Sequence, residues 1–238
     1  MVSLPTNADK PASSPLPGLL VLLSVTTGLV DAVSVLGLGK VFTANMTGNV
    51  VFLGFAVAGT PGFSIAPGLV ALLTFFLGAF IGGRTGQSFG TRPLRHWLML
   101  AALIETALLW AAALFALAFD PVALSPRWAL FAIIGLTAVA MGFRNATIRQ
   151  LKVPDLTTTV LTLTITGIAA DSRMAGGTAP NLARRIAAVL AILLGGAIGA
   201  LLVMRYGLAV PLVVAGIVVL GGTAACARHP SAALPRSA

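Results

Sequence analysis

The sequence predicts an all-α polytopic membrane protein. About six transmembrane helices and two short re-entrant half-helices are expected, arranged as probable inverted three-span repeats. Three observations carry this prediction: the composition, the lengths of the apolar runs and the placement of the basic residues. Of 238 residues, 58% are hydrophobic and 9% charged, with a mean hydropathy of +1.00. A soluble domain keeps roughly a quarter of its residues charged, so this chain has too few ions to face water on all sides. Several runs approach the ~20 apolar residues that cross a ~30 Å hydrocarbon core.

In chain order, residues 1–17, MVSLPTNADKPASSPLP, are polar and rich in Pro and Ser. They lack the basic start of a signal peptide, and no A-x-A site closes the run that follows, so a disordered N-terminal tail is expected. A single transmembrane domain spans 18–224, with one repeat at about 18–118 and the other at about 128–224. Its apolar runs are 18–38, 44–59, 66–84, 97–118, 128–147, 157–170, 184–204 and 207–224. Residues 225–238 read as a C-terminal tail. The runs 44–59 and 157–170 make only ~24 and ~21 Å of helix at 1.5 Å per residue, less than the core thickness. Both begin in clusters of Thr and Asn.

Charge separates two topologies. If all eight runs cross, seven Lys and Arg fall on each face and nothing orients the chain. If the two short runs enter and leave by one face, eleven lie on one side. These are Lys10, Arg84, Arg92, Arg95, Arg149, Lys152, Arg173, Arg184, Arg185, Arg228 and Arg236. Only Lys40, Arg127 and Arg205 remain opposite, with Arg144 inside the membrane. That bias fits the positive-inside rule and puts both termini in the cytoplasm. The net charge of +9 and pI of about 11.5 then reflect lipid orientation. No basic cluster is interleaved with aromatics, so no nucleic-acid partner is expected.

The two halves echo each other. GLVDAVSVLGLGKVFTAN (28–45) lies over GFRNATIRQLKVPDLTTT (142–159) without a gap, so Gly28 meets Gly142, Asp31 meets Asn145 and Thr43 meets Thr157. Three residues of drift later, LGAFIG (77–82) meets LGGAIG (194–199). With the shared long–short–long–long pattern this points to a duplication. Three crossings per half would place the halves in opposite orientations, a plan recurrent in secondary transporters. Gly78 and Gly82, like Gly195 and Gly199, are spaced for close helix packing.

A helix beginning inside hydrocarbon leaves its first N–H groups without partners. Thr43, Asn45, Thr47 and Asn49 precede or open one short run, and Asp155, Thr157, Thr158 and Thr159 the other. Such side chains serve as N-caps, and the positive helix ends would suit an anionic or carbonyl group. An interfacial loop before a short spanning helix is the plainer alternative. The sequons at Asn45 and Asn145 fall inside the membrane in this reading and are discounted.

Asp31 lies well inside the first span, where ionisable groups are costly and usually paired or functional. It is the candidate for proton coupling, or else the fixed counter-ion of Arg144. Arg144 and Asn145 are candidate substrate contacts; Arg144 could equally anchor at the interface by snorkelling. Glu105 is either a second coupling carboxylate or one satisfied by a neighbouring helix. Thr27 and Ser34 share a face with Asp31 and, with Thr26, form a hydroxyl stripe that lines a path or bonds back to the helix.

Enzyme chemistry is not expected. His96 and His229 have no acidic neighbour in sequence, and GLGK (37–40) is too short for a phosphate loop. The lone Cys226 excludes an intrachain disulfide and a thiolate metal site. No metal or cofactor is expected.

The stretches GLVDAVSVLGLGKVFTANMTGN (28–49) and GFRNATIRQLKVPDLTTT (142–159) resemble the YoaK-like family of bacterial inner-membrane proteins, which carry a domain of unknown function. The resemblance runs from about residue 18 to 224 and implies a multi-pass protein of about six spans. It implies no substrate and no catalytic residues. The residues alone favour a small secondary transporter of a small anionic or polar metabolite, or of an ion. The alternatives are a non-transporting membrane assembly or lipid-interacting protein, and a channel. The oligomeric state is left open.

Overall fold

A computed structural model of the chain describes residues 14–89, 92–151 and 161–233. Six helices are long and apolar enough to cross a membrane: α1 (Leu16–Gly37), α3 (Ile65–Ser88), α4 (Leu94–Ala116), α5 (Arg127–Leu151), α7 (Leu182–Tyr206) and α8 (Ala209–Ala227). Two shorter apolar helices, α2 (Met46–Val57) and α6 (Leu161–Ala170), lie between α1 and α3 and between α5 and α7. The protein is thus an all-α, multi-pass membrane protein in contact with the bilayer. At 1.5 Å per residue α1 is ~33 Å long, whereas α2 reaches only ~18 Å and the described part of α6 ~15 Å.

The helix ends are set locally. Pro17 sits in the first turn of α1, where a missing N–H costs nothing. Gly207 at φ +77° ends α7 and lets α8 start two residues later. The last helix runs to Ala227, into the stretch expected as tail. A 3-10 turn at Pro230–Ala233 then packs against α4 and α8, with Ala232 buried.

Helix direction follows from which residues meet. Side by side and parallel run α3 with α5, and α1 with α7, along two glycine seams. A Cβ at Gly78 would run into the Val139 carbonyl, and one at Gly142 into the Phe75 carbonyl. In the other seam, Gly195 lies against the Val25 carbonyl and Gly28 against the Ile192 carbonyl. One turn on, Gly82 faces Phe143 and Ala146 while Gly199 faces Leu29 and Ala32. Close backbone approach is the main source of helix association in lipid, where burying apolar groups gains nothing.

The pair α4 and α8 is antiparallel: Thr106 donates to the Gly216 carbonyl (3.2 Å) and Trp110 Nε1 to that of Val213 (3.2 Å). The same helices also pack on α5 and α1 respectively. Because α1 is antiparallel to α5 and parallel to α7, α1 ends and α3 begins at one end of the bundle. Likewise α5 ends and α7 begins at the other. The face of α3 bearing Leu73, Phe76 and Phe80 and that of α7 bearing Leu190, Leu193 and Leu201 are exposed, as lipid-facing surfaces should be.

The flanks of α2 fold back on its middle. Phe42 stacks on Phe52 at 5.9 Å between centroids, and Phe63 meets Phe52 at 5.1 Å and Phe55 at 5.3 Å. Lys40, which precedes α2, holds its ammonium 5.2 Å from the Phe63 ring centroid, beyond the helix's other end, and beside Gly62.

Candidate functional site

Two intramembrane carboxylates define two polar centres. The first lies where α1, α4, α5 and α8 converge. Arg144, 2% exposed, directs Nη1 to the Leu23 carbonyl and to Thr27 Oγ1, both at 3.2 Å. Thr27 can accept because its own hydroxyl donates to the Leu23 carbonyl at 3.1 Å. Nη2 pairs with Oε1 of Glu105, itself 4% exposed. Arg144 Nε and Thr147 Oγ1 are buried and have no partner among the described residues. Beside them is a cavity of about 20 Å³, walled by Leu19 and Leu23 of α1, Leu98 of α4, Ile148 of α5 and Thr223 of α8. That is room for one water.

The geometry corrects two expectations. Arg144 does not snorkel to the interface; it is fully inside the bundle. Its counter-ion is Glu105 and not Asp31. Depth explains this: along the helix axes Arg144 lies ~10 Å and Glu105 ~16 Å from the end where α1 begins, whereas Asp31 lies ~22 Å from it. An arginine can bridge the first difference and not the second. Matching depth in antiparallel spans was the signal that sequence reasoning missed. Asn145, half-buried, donates to the Met141 carbonyl of its own helix at 2.8 Å.

The second centre is at the start of α2. Asp31 faces the Ala44 backbone amide, which donates to its carboxylate, and its Oδ1 has no partner among the described residues. Thr43 is fully buried, and its hydroxyl has no partner among the described residues. Asn49, 1% exposed, clamps the preceding loop: Oδ1 accepts from the Phe42 amide at 2.8 Å and Nδ2 donates to the Phe42 carbonyl. The expected capping by Asn45 is not found. Asn45 occupies the N-cap position with no side-chain bond, and Thr47 is exposed. The polar cluster therefore shapes the loop that carries the Ala44 amide to Asp31. Thr26 and Ser34 bond back to the Leu23 and Asp31 carbonyls at 2.8 and 3.1 Å.

Asp155, Thr157, Thr158 and Thr159 lie outside the described residues. Among those described, α2 packs on α3 and α6 on α7. Sequence reasoning also missed the ion pair of Asp171 with Arg185, at 2.7 Å, which ties the chain after α6 to the start of α7. No group of three or more metal-ligating side chains occurs among the described residues.

Residues 19–225 match the family model of proteins of unknown function DUF1275. The chain belongs to this family. It is 33% identical over 157 residues to the UPF0700 transmembrane protein YoaK of Bacillus subtilis (strain 168), covering 64% of this chain. The match spans 65% of that relative's length, just under two thirds. No solved structure matches the chain. Family membership fits the six spans and the resemblance carried by residues 28–49 and 142–159.

Proposed function

We propose that this DUF1275 protein is a small secondary carrier of a small anionic or polar metabolite, built from inverted three-span repeats. One observation carries the reading: a charged pair, one of whose donors (Arg144 Nε) has no partner among the described residues, seated beside a cavity between helices of both halves. Charges at membrane depth are expensive and concentrate on transport paths and proton relays. The repeat is supported by the equivalence of the two glycine seams. Under the alignment of Gly28 with Gly142 and Gly78 with Gly195, Phe75 corresponds to Ile192 and Val25 to Val139, the very carbonyls these glycines meet.

In this reading α2 and α6 dip into the bilayer and return by the face they entered. Support comes from the shared end of α1 and α3, and from Lys40 lying beside Gly62 across the whole of α2. The basic ends of α3, α4, α5, α7 and α8 then face the cytoplasm of a bacterial cell, with the N-terminus.

Uptake by proteoliposomes tests the carrier. Saturable, concentrative flux of a polar solute is expected; linear flux points to a channel, and its absence to an assembly or lipid-interacting protein. Topology is tested separately. In a Cys226→Ser background, single cysteines replacing Lys40 and Gly62 should react with an impermeant thiol reagent from the same side.

A further inference from the structure

The guanidinium of Arg144 has two working sides. Its Nη1 side is spent on α1, where the Leu23 carbonyl and Thr27 hydroxyl are neutral acceptors that fix the plane of the group. Its Nε/Nη2 edge is the one that grips planar oxyanions with two parallel hydrogen bonds. Here that edge is half used. Glu105 takes Nη2 through Oε1, while Nε has no partner among the described residues. The Thr147 hydroxyl, one turn along α5, is also unpartnered, and both residues line the cavity.

Charge constrains what can enter. Arg144 and Glu105 together are neutral, and a net charge at this depth is strongly disfavoured. An anion that takes the Nε/Nη2 edge must displace Glu105. Neutrality is kept if Glu105 gains one proton in the same event. Within the cavity Glu105 and Arg144 are the ionisable groups; α1 contributes Leu19 and Leu23, and α8 Val219 and Thr223, with Cys226 one turn farther along α8. His96 and Arg95 lie on α4 two or more turns from Glu105, and Asp31 lies a turn beyond Thr27 on α1.

We infer that Arg144 is the binding residue for a small planar oxyanion, a short monocarboxylate, and that Glu105 exchanges with it as proton acceptor. One anion and one proton enter together, and the pair re-forms when both leave. The cavity measures about 20 Å³, which favours the smallest carboxylates. This rests on the carrier reading for its consequence, though binding can be measured without it.

The test uses purified full-length protein and sodium formate, acetate and lactate at matched ionic strength, with sodium chloride as reference. Thermal-shift titration should show stabilisation by at least one carboxylate over chloride. Its apparent Kd should fall about tenfold per unit decrease in pH wherever one proton is taken up per anion. Glu105→Gln, which mimics the protonated side chain, should bind more tightly and with a flat pH profile. A double Glu105→Gln, Arg144→Gln variant carries no buried charge and should lose the effect.

Failure of every carboxylate to stabilise both wild type and Glu105→Gln overturns the inference. So does stabilisation that ignores pH and both variants, since a merely structural ion pair predicts that result. Carboxylate binding without uptake keeps the inference and removes the carrier. Uptake of a neutral or cationic solute without carboxylate binding does the reverse.

Discussion

Glu105 on α4 meets the guanidinium of Arg144, whereas Asp31 on α1 meets one backbone amide and leaves an oxygen unpartnered. Both carboxylates sit in spanning helices, so the difference lies in what surrounds them. Glu105 is in the middle of α4, against helices that present carbonyls already engaged in their own bonds. Only a side chain with a formal charge can compensate it there. Asp31 is within two turns of the end of α1, where the chain turns and delivers the Ala44 amide just ahead of the uncapped α2. One centre is an ion pair whose bonds join α1, α4 and α5; the other is a tie between a helix and a loop.

Four substitutions would break or sharpen this contrast. Arg144→Met should be the most damaging, because it strands Glu105 inside the bundle. A loss of roughly 3–5 kcal/mol is expected on breaking a buried pair from one side, read as unfolding of the purified protein in detergent. Asn49→Ala should cost less than losing either member of the ion pair. It removes both bonds to Phe42 and frees the loop bearing Ala44, at about 2 kcal/mol for the buried groups left unpaired. Its diagnostic is faster proteolysis or hydrogen exchange confined to residues 38–46.

Glu105→Gln keeps a side-chain acceptor for Arg144 but leaves a cation that cannot be neutralised buried without a counter-charge, so its loss should approach that of Arg144→Met, roughly 3 kcal/mol. Asp31→Asn should cost least, roughly 0.5 kcal/mol, since the amide oxygen can still accept from Ala44. Should Asp31→Asn prove as harmful as Arg144→Met, the two centres are energetically alike and the contrast falls. A fifth measurement concerns the seams. Gly28→Ala and Gly142→Ala put a methyl against equivalent carbonyls, so their losses should match within ~0.5 kcal/mol, whereas Gly54→Ala, with open space around it, should be near neutral.

Much of the architecture was legible from residues alone. Apolar run length and the scarcity of charge set the six spanning helices, because a bilayer admits few other solutions. The two short runs, the placement of Lys and Arg and the glycine spacing followed from the same constraint. All are one-dimensional quantities: length, count and period. Polar residues near the start of α2 were also legible as a cluster, though not in their roles. Asn45 and Asn49 look equivalent in sequence, yet only the second turns inward to hold Phe42.

What the tertiary structure decided was pairing. Arg144 is one position from the residue aligned with Asp31, which suggested a partnership in sequence; in space Arg144 reaches Glu105 across α4. Partner choice depends on depth and facing direction in helices brought together by backbone contact at Gly28, Gly78, Gly142 and Gly195. Those close approaches fix the rotation of each helix, and with it which carboxylate a buried cation meets. A linear chain specifies how far each side chain lies along its own helix, but the angle it presents to its neighbours exists only once the helices are packed.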